Sequence, residues 1–94
     1  MPKLDVAHIR KQGQDMVIVP LDDDFDQKTP GQQNAAVNQI QLAAGGADLA
    51  GQVVVVWEGS SGRMKFIAPK PWHPFFRSID LRWVLHNVNK SISW

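Results

Sequence analysis

Apolar residues in this chain gather into short runs whose spacing changes from segment to segment, and each change predicts a different element. Met16 to Val19 is an uninterrupted apolar run, rich in β-branched side chains and closed by Pro20. Proline cannot donate to a sheet ladder and belongs at a strand's end, so the pattern predicts a strand over 15–20. Val53-Val-Val-Val-Trp57 is a second such run, as expected of a strand covered on both faces, and predicts a strand over 53–58. Arg63-Met-Lys-Phe-Ile-Ala68 instead alternates charged and apolar positions. This predicts a half-exposed edge strand over 63–68, joined to its predecessor through the turn residues Glu58-Gly-Ser-Ser-Gly62.

Between the first two strands, Thr29-Pro30-Gly31-Gln32 carries the strongest helix-start signal in the chain. Threonine can accept from the backbone three residues on, proline suits the first helical position, and Gln32 can reach back to the cap. Ala36, Val37, Ile40, Ala43 and Ala44 then share one helical face, which predicts a helix near 30–44 ended by Gly45-Gly46. Ser78 to Lys90, with Leu81, Val84, Leu85 and Val88 at helical spacing, predicts a closing helix near 78–90. Asp5 and Gly13 bracket a short opening helix, although Leu4, Val6 and His8 alternate equally well in a strand. Leu21 to Asp26 reads as an acidic loop. Pro69-Lys-Pro-Trp-His-Pro74 reads as a stiff polyproline-like connector without helix, and Ser91 to Trp94 is too short to assign. The expected fold is therefore α/β, a small single domain over 1–94. A mixed three-stranded sheet, a parallel βαβ unit plus an antiparallel hairpin, packs with two or three helices. The element order resembles the second half of thioredoxin-like folds, in topology alone.

Composition narrows the chemistry. Ninety-four residues hold one modest core. With 44% hydrophobic and 20% charged residues the chain is of ordinary globular type, and the absence of cysteine excludes disulfides, thiol redox motifs and cysteine-ligated zinc. No apolar run approaches a membrane span and Met1 to Asp5 lacks the core of a signal peptide, so a cytoplasmic protein without membrane contact is expected. The net charge of +1 conceals an asymmetry: residues 1–50 carry −3 and residues 51–94 carry +4. Such opposed surfaces suit docking between subunits.

Two segments are candidate sites. Asp22, Asp24 and Asp26 follow a strand's carboxyl end, where α/β folds often build sites and where oxygen ligands suit magnesium or calcium. Asp22 and Asp24 resemble the Asp-x-Asp signature of haloacid-dehalogenase phosphotransferases, over about eight residues, but 94 residues cannot hold that family's larger fold and further motifs. A charge run in a loop is ordinarily solvated, and no metal is assigned here. The second segment, Trp72-His73-Pro74-Phe75-Phe76-Arg77, concentrates rings that a small domain struggles to bury together. They either plug the core beneath the closing helix or form a contact surface. Catalysis finds no support. His8, His73 and His86 stand far apart, no serine sits in a nucleophile elbow, and Gly59 to Gly62 lacks the following helix of a phosphate cradle.

Arg63 to Phe76, the strand Met16 to Leu21 and the ending Asn89 to Trp94 look like small bacterial proteins of the mobile-genome, integron-cassette kind. That resemblance implies a stand-alone domain that often self-assembles, and it transfers no site residue. The expectation is a non-enzymatic, self-associating interaction module whose surface comprises Trp72, His73, Phe75, Phe76, Arg77 and Arg63. A homodimer is expected, since a three-stranded sheet leaves two edges open. An unidentified protein partner fits the same surface, and no cofactor is expected. The alternative is single-stranded nucleic acid stacked on Trp72 or Phe75, with Arg63, Lys65, Lys70 and Arg77 on phosphates. A small-molecule pocket between the Pro-rich segment and the sheet is a third possibility.

Overall fold

The computed structural model describes residues 3–11, 13–47, 49, 51–59 and 62–93. It is a small α/β domain whose five strands are β1 (Lys3–Lys11), β2 (Gln14–Pro20), β3 (Gln52–Glu58), β4 (Met64–Ile67) and β5 (Lys90–Ser93). They form one mixed sheet in the order β4-β3-β2-β1-β5. β2 and β3 run parallel and enclose helix α1 (Pro30–Gly46), while β4 returns antiparallel to β3 as the sheet's edge. Helices α2 (His73–Arg77) and α3 (Leu81–His86) follow. Among the described residues no helix is long and apolar enough to cross a membrane.

Strands β2, β3 and β4 are the three expected ones; β1 and β5 enlarge the sheet to five. The opening segment is a strand, not a helix. Val6 packs on one face of the sheet and Ala7 on the other, so consecutive residues are buried in opposite directions. An isolated helix of two turns is marginal, whereas the extended segment pairs with β2 from Ala7↔Ile18 to Lys11↔Gln14. Gly13, at φ 78°, supplies the left-handed conformation of this reversal and is no helix stop.

The closing helix is likewise shorter than expected. Asp80, not Ser78, caps it, accepting from the Trp83 N–H at 2.8 Å, and it ends at His86. Asn89 accounts for the early end: its amide donates to the His8 carbonyl at 3.0 Å and accepts from the His8 N–H at 2.9 Å. The side chain thereby imitates a peptide group and leads the backbone into β5, which pairs with β1 from Val6↔Lys90 to Lys3↔Ser93. The Pro-rich segment also departs from the extended expectation. It forms a 3-10 turn over Lys70–Trp72 and then α2, since prolines at the first positions of a helical turn forfeit no hydrogen bond.

Two apolar layers flank the sheet. On one side α1 sets Ile40 and Ala44 against Val17, Val19, Val53 and Val55. Its capping box is complete, with Thr29 Oγ1 accepting from Gln32 N at 3.2 Å and Gln32 Oε1 from Thr29 N at 3.0 Å. Gln41 pins the helix to the chain entering β3, accepting from Val53 N at 2.8 Å and donating to the Gly51 carbonyl at 3.2 Å. Gly51 is required there: its φ is 116°, and a Cβ would lie 2.4 Å from the Asp15 carbonyl oxygen. On the opposite side Phe76 and Val84, from α2 and α3, cover Ala7, Met16, Ile18, Val54 and Val56.

Candidate functional site

The second layer is built mainly from rings. Phe76, 1% exposed, sits at its centre, with Phe66 tilted against it at 5.4 Å and Phe75 edge-on at 5.1 Å. Trp83 meets the outer side of Phe75 at 5.7 Å and 85°. Because α2 has only five residues, it cannot present a full buried stripe; Phe76 points inward while Phe75 and Trp72 remain half-buried. Their outer surfaces, with Pro71 and Pro74, wall a groove of about 740 Å³ whose far side is the start of β2, Gln14 and Met16. That volume lies within the range of sites for small ligands or a few side chains.

Among the described residues no charged side chain lines the groove. Its polar side chains are Gln14 and Ser78, and the Ser78 hydroxyl donates to the Phe75 carbonyl at 2.6 Å. Among the described residues the lining holds no acid–base pair, and the Ser78 hydroxyl is engaged in closing α2. The site offers a concavity walled by rings and prolines, with the Gln14 amide among its polar lining.

The six residues expected to form a contact surface do not come together as one. Trp72 and Phe75 line the groove. Phe76 belongs to the core, so the core-plug reading describes this side chain. His73 is half-buried, its ring edge-on to Phe66 at 5.1 Å and its Nε2 2.9 Å from the Ala68 carbonyl. A carbonyl can only accept, so Nε2 carries the proton and the ring staples α2 to the end of β4. Arg77 is exposed at the end of α2. Arg63 precedes β4 whereas the Pro-rich segment follows it, a separation of roughly 20 Å along the strand, and it lines no part of the groove.

Gln14 and Met16 escaped the sequence reading. Alternation along β2 assigns Met16 to the face of Ile18, but only the packing of α2 on that face brings both near Trp72, more than fifty residues away in sequence. Nothing local marks them.

The acidic segment has a different part. It forms a 3-10 turn over Asp23–Gln27 that buries Phe25 against Trp57, with ring centroids 4.7 Å apart. Asp26 is not a solvated member of a run: its Oδ1 accepts from Trp57 Nε1 at 3.1 Å and from Lys65 Nζ at 2.9 Å. Asp22 and Asp24 are exposed. Among the described residues no three histidine, aspartate or glutamate side chains converge as a metal site requires. A second cleft, about 590 Å³, lies at the carboxyl ends of β2 and β3 between Leu21, Asp22, Glu58 and Leu85. Its acidic residues are dispersed along the rim and none is buried.

Comparison with protein-family models, with curated proteins and with solved structures finds no match to this chain.

Proposed function

We propose that the protein is a non-enzymatic binding module that seats an uncharged, apolar segment of a partner polypeptide in the groove between α2 and the start of β2. The observation that carries this reading is the pairing of half-buried Trp72 and Phe75 with Pro71 and Pro74 around a concavity that no charged side chain lines among the described residues. Rings and proline rings lose little conformational freedom on contact, so such a wall binds with small entropic cost. The same reading makes the protein a cytoplasmic module that acts as a homodimer. Single-stranded nucleic acid is the weaker reading, because among the described residues no cation lines the groove to meet a phosphate.

Pro74→Glu tests the proposal without touching the core. Pro74 is exposed, and an acidic residue in the first turn of α2 is compatible with the helix. Peptides selected from a displayed random library should be rich in large apolar residues. They should bind Pro74→Glu at least about tenfold more weakly, a loss of about 1.4 kcal/mol, with the melting temperature unchanged. Equal binding to both proteins overturns the reading. Capture of oligothymidylate that weakens steeply with salt transfers the groove to nucleic acid.

A further inference from the structure

α1 is unlike the rest of the surface: its 17 residues include no charged side chain, in a chain where 20% of residues are charged. Ten of them are exposed. A helix that only faces water ordinarily carries lysine and glutamate. Towards one end of α1, Leu42 stands 78% exposed, the most exposed large hydrophobic side chain among the described residues. It borders an apolar groove of about 670 Å³ that runs between Gln39, Ala43 and Gly46 of the helix and Ser91 and Ile92 of β5.

β5 is also an edge of the sheet, so among the described residues no strand neighbours its outer backbone N–H and C=O groups. The two edges differ. β4 carries Lys65 and is flanked by Arg63 and Lys70, cations of the kind that keep an edge from pairing. Among the described residues no charged side chain lines the groove beside β5, and the one cation of β5, Lys90, stands at its start.

We infer that this flank, the outer surface of α1 around Leu42 together with the free edge of β5, binds a second copy of the chain about a two-fold axis. In such an interface each side chain near the axis meets its own counterpart, so any charge there faces its like. Among the described residues no charged side chain lines the groove beside Leu42, and a neutral helix is what that symmetry tolerates. An edge strand is its own partner in the antiparallel sense, donors meeting acceptors. Centring the pair on Ser91 sets Lys90 opposite Ile92 of the second copy and away from its own counterpart. The paired edges join two five-stranded sheets into one, and each Leu42 covers the small residues Ala43 and Gly46 of the facing helix.

This inference stands apart from the binding groove, which lies on the other face of the sheet and stays open in the dimer. The test is the mass in solution by sedimentation velocity between 1 and 200 µM, for the whole chain and two variants. Unsubstituted protein should be a dimer at the upper concentrations. Leu42→Arg, at a position too exposed to affect the core, should be monomeric with an unchanged melting temperature at low concentration and should keep its peptide affinity. Leu85→Arg, at the exposed leucine of α3 (56%), should remain a dimer. An unsubstituted chain that is monomeric at 200 µM, or a Leu42→Arg protein that remains dimeric, overturns the inference. Pro74→Glu should dimerise normally while losing peptide, so failure of one proposal is distinguishable from failure of the other.

Discussion

The two layers flanking the sheet are fastened by different forces. Beneath α1 the contacts are directional. Thr29 and Gln32 exchange cap bonds, Gln33 donates to the Phe25 carbonyl at 3.0 Å, and Gln41 holds both Gly51 and Val53. Beneath α2 and α3, rings lean on rings at 5.1 to 5.7 Å, and the polar bonds mostly close the helices' own turns. Hydrogen bonds fix a register, whereas ring contacts tolerate small displacements. One layer is thus a scaffold of set geometry. The other is apolar surface that is only partly consumed by the core, and it is there that the groove opens.

Substitutions that remove one kind of fastening at a time can break this contrast. The largest effect is expected of Phe76→Ala, which empties the centre of the ring layer. Loss of a buried phenylalanine costs about 3–5 kcal/mol, which in a domain of this size lowers the melting temperature by roughly 12 °C or more. Thermal unfolding followed by circular dichroism measures it. A change of under about 1 kcal/mol, within the range of an ordinary surface substitution, would show that the ring layer is not part of the core.

Gln41→Ala tests the opposite layer. It removes the acceptor of a part-buried Val53 N–H and should cost about 1–3 kcal/mol in urea unfolding. Gln41→Glu keeps that acceptor but sets a carboxylate oxygen against the Gly51 carbonyl in place of the donating amide, so it too should be less stable than the parent. If both variants are indistinguishable from the parent, packing alone holds α1 and the contrast disappears. Thr29→Ala, which breaks only the cap, should cost about 1 kcal/mol, and Thr29→Asp should restore most of it.

The elements that could be read from the chain are those in which local preference and tertiary demand agree. The β-branched runs of β2 and β3 and the Thr29-Pro30-Gly31-Gln32 start of α1 lie where their patterns predict. Elements decided at a distance were not legible. Residues 3–11 carry a helix-like cap and stop, yet become a strand because β2 and β5 stand ready on either side. β5 has four residues and exists through Asn89 reaching His8, contacts that span 81 positions. The site divides in the same way. The density of rings announced Trp72 and Phe75, but no local rule separates Phe75 from Phe76, adjacent on a five-residue helix. Which ring is buried depends on Phe66 and Met16, residues of other strands.

The smallest effect is expected at Lys65, where the directional layer reaches the surface. Lys65 Nζ lies 2.9 Å from Asp26 Oδ1, but the lysine side chain is 50% exposed while that of Asp26 is only 13% exposed. Water therefore screens one partner, and exposed pairs contribute about 0–1 kcal/mol. Asp26 also keeps the Trp57 indole N–H, at 3.1 Å, when the lysine is removed. Lys65→Met should accordingly cost less than about 1 kcal/mol, with the difference from the parent shrinking in 1 M salt, where screening extends to about 3 Å. Trp57→Phe, which removes the neutral donor from the less exposed side, should cost more and show no such salt dependence. If the order of the two variants is reversed, the carboxylate depends on its ion pair and not on the indole. The layer beneath α1 would then be held at this corner by charge, and its geometry would change with ionic strength where that of the ring layer would not.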